Sequence, residues 1–88
     1  MYFVYILQSL RDNRTYVGYT NNLDERLKRH NTGLVPATKH RIPLKLIYSE
    51  QFETAKEAKE REKYYKNGGG RKKMKQIFSS DFQFAKSE

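Results

Sequence analysis

The chain reads as a small α+β domain, a three-stranded antiparallel sheet flanked by helices in the order β-β-α-β-α-α. Three observations predict it. An aromatic and β-branched run at the amino end is followed, across a polar turn, by a second such run. Two capping signatures each open a stretch with helical spacing. A further strand-like run lies between those two helices, so strands and helices must share one core.

The first strand is Tyr2-Phe3-Val4-Tyr5-Ile6-Leu7, too β-branched and aromatic for a short surface helix. Asp12-Asn13 supplies a turn signal within 9–14, and Thr15-Tyr16-Val17-Gly18-Tyr19 returns as the hairpin partner. Alternation places Phe3, Tyr5 and Leu7 on one face and Val4 and Ile6 on the other; Tyr16 and Gly18 likewise share a face. Asn22 with Glu25 three residues on forms a capping box, predicting a helix from Leu23 to Asn31 with Gly33 as its C-terminal cap. Residues 35–43 hold both prolines and Lys39, His40 and Arg41, and read as a basic loop. Leu44 to Tyr48, extending to Phe52, is the third strand. Thr54 with Glu57 is a second capping box, and the helix it opens should run to Lys66 and end at Gly68-Gly69-Gly70. Arg71 to Ser79 reads as a short third helix, with Met74, Ile77 and Phe78 on one face. The expected domain is 1–80, with 81–88 a frayed tail.

An 88-residue chain supports one domain with one modest core. It has no Cys, hence no disulfide and no thiolate zinc site. Small secreted domains usually need such staples, so a cytoplasmic location is expected. The longest apolar run is far too short to span a membrane. Net charge is +8, from 18 Lys+Arg against 10 Asp+Glu, which favours polyanions and nucleic acid first among them. Lys66, Arg71, Lys72, Lys73 and Lys75 form an acid-free basic segment. With Lys39 and Arg41 they are the candidate phosphate-gripping residues.

The polar residues expected to face inward are few. On a wheel of about 100° per residue, Arg26 and His30 share the first helix's inner face with Leu23 and Leu27, whereas Asp24, Lys28 and Arg29 point elsewhere. In the second helix Glu62 projects between Ala55 and Ala58, while Glu57 and Glu60 point away. A carboxylate on an alanine stripe requires a partner or a metal. Two phenols, a guanidinium, an imidazole and one inward carboxylate form a set suited to a phosphodiester.

These residues resemble the GIY-YIG nuclease superfamily, in the manner of its small stand-alone bacterial members and of the N-terminal nuclease domain of the bacterial excinuclease. Phe3-Val4-Tyr5 stands for the first signature tripeptide and Tyr16-Val17-Gly18 for the second; Arg26, His30 and Glu62 follow at the family's spacing. The resemblance implies divalent-metal-dependent hydrolysis of DNA, structure-directed and serving repair or recombination. It assigns Tyr5 and Tyr16 to the scissile phosphate and the attacking water, Arg26 to charge on the phosphoryl oxygens, and His30 to proton movement. Glu62 would hold Mg²⁺ or Mn²⁺, weakly without substrate because a single carboxylate leaves most of the ion's waters in place. Arg26 and the metal are expected to lower the pKa of a tyrosine hydroxyl. Phe3 departs from the family's Gly, and Asn67 is the only counterpart for its late Asn. DNA, a targeting protein and no membrane are the expected partners. The competing expectation is a nucleic-acid-binding module of the same fold that does not cut.

Overall fold

The computed structural model describes residues 1–70, 72 and 73. Strands β1 (Tyr2–Ser9), β2 (Thr15–Thr20) and β3 (Leu44–Phe52) form one antiparallel sheet in the order β2-β1-β3, with helices α1 (Leu23–Asn31) and α2 (Ala55–Lys66). The sheet is central, and its alternation produces two cores. Val4, Ile6 and Val17 pack with Ala58 and Tyr65 of α2. Tyr5, Leu7 and Leu44 pack with Tyr16 and with Leu23 and Leu27 of α1.

The β1–β2 hairpin closes on Ser9. Its hydroxyl accepts from the Arg11 and Asp12 amides at 3.1 and 3.2 Å and donates to the Arg41 carbonyl at 2.6 Å. Asn13 takes the left-handed conformation, φ 62°, that turn-forming Asn tolerates. The β1–β3 pairing slips by one residue between Ile6 and Leu7. Leu7 faces Leu46 but Ile6 faces Tyr48, so Ile47 is the extra residue of a bulge. Leu44 and Leu46 therefore join the α1 core, while Tyr48 and Phe52 join the α2 core.

Both capping boxes form. The Asn22 Oδ1 accepts from the Glu25 amide at 3.1 Å, and the Thr54 Oγ1 from the Glu57 amide at 3.2 Å. Gly33, at φ 80°, follows the Thr32 cap; its amide reaches the His30 carbonyl and the Leu34 amide the Arg29 carbonyl, closing a Schellman motif.

The end of α2 differs from the sequence expectation. Asn67, in extended conformation, is the cap, and Gly68, Gly69 and Gly70 are themselves helical. The glycines start the next helical segment instead of terminating α2. Position 70 has to be glycine, because a Cβ there would overlap the Tyr64 carbonyl and the Tyr65 Cα. Lys72 and Lys73 are also helical; the rest of the expected third helix and the 81–88 tail lie outside the described residues. No described helix is long and apolar enough to cross a membrane.

Candidate functional site

Tyr5 and Gly18 are direct cross-strand partners, and the glycine exists for the tyrosine. A Cβ on Gly18 would overlap the Tyr5 hydroxyl and lie 2.6 Å from Cζ. With that space open, the Tyr5 ring lies across β2 and is 1% exposed. Its hydroxyl meets two side chains of α1: His30 Nε2 at 2.9 Å, and Arg26 Nε, which donates to it at 3.3 Å. These are the inward residues of the helical wheel. Asp24, Lys28 and Arg29 are exposed, as the same wheel requires.

Tyr16 completes the aromatic cluster. Its ring centroid is 6.4 Å from that of Tyr5 and 5.1 Å from the His30 ring. Unlike Tyr5 it is half-buried, so its phenol is the one that solvent reaches. Arg26 opens on one side to a small cleft of about 140 Å³, lined also by Thr20, Asn21, Asn22, Glu25 and Arg29.

His30 is fully buried and engaged at both ring nitrogens, Nε2 with Tyr5 and Nδ1 with the Thr38 hydroxyl at 2.7 Å. Burial, and then the Arg26 charge, bring its pKa from 6.5 down to about 4, so the ring is neutral at pH 7. Arg26 is held charged by the hydrogen bond to Tyr5 foremost, with the Tyr16 phenol adding to it.

Burial decides the ionisation of Tyr5. Burial raises its pKa above 10, and the opposing pull of Arg26 is the smaller effect. A ring this enclosed loses more from desolvating a phenolate than one guanidinium returns. Tyr5 is therefore a neutral phenol at physiological pH.

Glu62 comes from the other side of the sheet. Its side chain is 19% exposed and its charge is felt at Tyr5, where it opposes ionisation. It does not pair with Arg26; Lys66, one turn on, donates to it at 3.3 Å and carries its Nζ to 5.8 Å from the Tyr16 ring centroid. Glu57 and Glu60 are exposed. No group of three His, Cys, Asp or Glu residues converges among the described residues. With both His30 nitrogens occupied, Glu62 alone remains as an anionic ligand here. That donor set fits a largely hydrated divalent ion, not a protein-caged one.

The basic residues divide. Lys39 and Lys72 are exposed and Lys73 is half-buried. Lys66 is exposed but engaged with Glu62. Arg41 turns inward, with Nε 3.4 Å from Asp12 and Nη2 donating to the Thr15 carbonyl at 3.3 Å; it fastens the 35–43 segment to the hairpin. Arg71 and Lys75 lie outside the described residues.

Sequence reasoning missed four residues. Thr38 and Val35 are buried from a segment read only as a basic loop, although their spacing of three matches the successive turns linking Val35, Thr38 and Arg41. Asn31 pairs with both backbone groups of Leu44, at 3.0 and 2.7 Å, and fixes α1 to the start of β3. Arg61 grips Glu50 through Nε at 2.9 Å and Nη2 at 3.3 Å, and stacks over Tyr64 and Tyr65. Its place three residues after Ala58 and four before Tyr65 was the available signal.

Fold and site together define a GIY-YIG-type catalytic domain, and the family model described as the GIY-YIG catalytic domain matches residues 1–75. The chain belongs to that nuclease family. It is 43% identical over 77 residues to a UPF0213 protein of Bacillus licheniformis, covering 86% of this chain and 78% of that one. It is 42% identical over 84 residues to a UPF0213 protein of Clostridium perfringens, covering 94% and 89%. The solution NMR structure of a UPF0213 protein from Bacillus halodurans superposes with a TM-score of 0.53 at 34% identity, covering 88% of this chain and 83% of that one.

Proposed function

We propose that this protein is a divalent-metal-dependent endonuclease that hydrolyses DNA phosphodiester bonds and selects its substrate by DNA structure. The supporting observation is the convergence of Tyr16 and Arg26 on Tyr5, at a point where the charge of Glu62 is felt. Phosphodiester hydrolysis needs a positioned nucleophile and preorganised positive charge for the phosphoryl oxygens. Arg26, facing a cleft, offers that charge in a form matching two oxygens at once. Tyr16 is the phenol that can touch the attacking water; buried Tyr5 aims Arg26 and is itself held by His30. Glu62 would hold Mg²⁺ or Mn²⁺, which would neutralise charge on the phosphate. Lys66 competes for that carboxylate, so affinity for the ion alone is weak. Exposed Lys39 and Lys72 would contact flanking phosphates, giving salt-sensitive binding without sequence preference. A cytoplasmic repair or recombination role, with a targeting protein, accords with this chemistry.

The test is cleavage of duplex, flapped and branched DNA with Mg²⁺ or Mn²⁺ by wild type, Tyr16→Phe, Arg26→Ala and Glu62→Gln. Loss of Arg26 should slow cutting by about 10²–10³-fold, the scale of a lost charge-stabilising donor. Glu62→Gln should bind DNA and not cut. Wild type that binds without cutting would make the protein a non-catalytic nucleic-acid module, and equal cutting by Glu62→Gln would remove Glu62 from the chemistry.

A further inference from the structure

Four side chains form an unbroken line that runs inward from the half-buried Arg26: Arg26 Nε to Tyr5 Oη at 3.3 Å, Tyr5 Oη to His30 Nε2 at 2.9 Å, and His30 Nδ1 to Thr38 Oγ1 at 2.7 Å. Tyr5, His30 and Thr38 are each at most 1% exposed. The direction of every bond in this line follows from donor counting. A guanidinium only donates, so Tyr5 Oη accepts from Arg26. The Tyr5 proton must then go elsewhere, and among the described residues His30 Nε2 is the acceptor within reach. Were Nε2 protonated instead, the oxygen would face two donors and a buried hydroxyl hydrogen would have no acceptor, which is costly away from water. A neutral imidazole has one proton, so it sits on Nδ1 and is donated to Thr38.

We propose that Thr38 is a positioning residue for this site: by accepting the Nδ1 proton it fixes the His30 tautomer, which orients the Tyr5 hydroxyl and through it the Arg26 guanidinium. The role assigned to Arg26 rests on the nuclease reading; the tautomer does not. Thr38 touches no substrate. It acts at three removes, and it comes from the 35–43 segment, which Arg41 fastens to the hairpin. That segment thus serves the site as its outermost support.

Thr38→Val is nearly isosteric and removes the acceptor. The Nδ1 proton then has no partner, so the penalty that keeps the proton off Nε2 is matched by one at Nδ1 and the ring is no longer held to a single tautomer. Thr38→Ser keeps the acceptor. The imidazole ¹⁵N–¹H correlation pattern at pH 7 reads the tautomer directly, in wild type and both variants. The expected result is an Nδ1-protonated His30 in wild type and Thr38→Ser, and a mixture of the two tautomers in Thr38→Val. DNA cleavage should fall about 10–100-fold in Thr38→Val, the size that partners holding a functional His carry, and stay near wild type in Thr38→Ser. An Nε2-protonated wild type, or a Thr38→Val ring unchanged from wild type, overturns the proposal. So does full-rate cleavage by a Thr38→Val protein whose ring is a mixture of tautomers. A wild type that never cuts overturns the nuclease reading alone, because the NMR result still decides the tautomer.

Discussion

Replacing Gly18 by alanine should damage the site through one contact whose size can be worked out. The new methyl would overlap the Tyr5 hydroxyl and stand 2.6 Å from Cζ and 3.1 Å from Cε2. A flexible side chain could swing aside, but this ring is rigid, 1% exposed, and tied at 2.9 Å to His30 and 3.3 Å to Arg26. Either the ring stays and the strands separate, an overpacking cost of about 1–3 kcal/mol. Or it leaves and a buried hydroxyl loses its partners, again about 1–3 kcal/mol. Alanine regains roughly 0.5–1 kcal/mol over glycine within a strand. By either route the net loss is about 1 kcal/mol, a fall in Tm of roughly 4–8 °C for a domain this size. Urea and thermal unfolding of a double-mutant cycle check the reasoning. In a Tyr5→Leu background, which lacks all three obstructing atoms, Gly18→Ala should be close to neutral; in Tyr5→Phe, which lacks only the hydroxyl, relief should be partial. An equal penalty in all three backgrounds would refute the contact as the cause.

Two further outcomes follow from the same buried groups. Because His30 has a folded pKa of about 4 against 6.5 unfolded, the unfolded chain takes up the proton first. Its contribution to stability is complete above pH 6.5 and is lost as pH falls towards 4, by on the order of 3 kcal/mol. Denaturant titrations from pH 7 to 4 should show that slope, and His30→Gln should flatten it; an unchanged slope would mean the ring is not buried neutral. Tyr5 and Tyr65 both have raised pKa values, burial being the main cause in each. An ultraviolet titration should therefore leave these two tyrosines protonated beyond the ordinary range until the fold opens. Tyr5→Phe and Tyr65→Phe should each remove one late step.

Much of this molecule was legible because its signals are local. The hairpin, both capping boxes and the inward set of α1 depend on residues within a turn or a strand of one another. Glu62 was separable from Glu57 and Glu60 for the same reason, since helical spacing alone decides which carboxylate meets the stripe of Ala58 and Tyr65. What escaped depends on contacts between distant segments. Thr38 looked like any loop threonine until α1 brought His30 to it. Arg61 and Glu50 lie 11 residues apart and meet only because β3 changes face. The ionisation of Tyr5 was out of reach of the sequence because burial sets it more than the neighbouring Arg26 does. The Gly68–Gly70 run was read as a stop because glycine usually ends helices, whereas here the approach of Gly70 to the end of α2 sets its identity.

The bulge at Ile47 makes length, more than composition, the inherited constraint on β3. Residues before it pack beneath α1 and residues after it beneath α2, so the strand carries two phases in nine residues. Removing a residue before the bulge turns the leucines of the first half away from α1. Removing one after it turns Glu50 away from Arg61 and loosens the helix that carries Glu62. Ile47 is the position where a deletion leaves both phases intact, because its neighbours Leu46 and Tyr48 already face consecutive residues of β1, and the loss is confined to its own packing against the α2 core. Codon loss should therefore be tolerated along this strand in an uneven way, with survivors of a deletion library concentrated at Ile47 and nearly absent on either side.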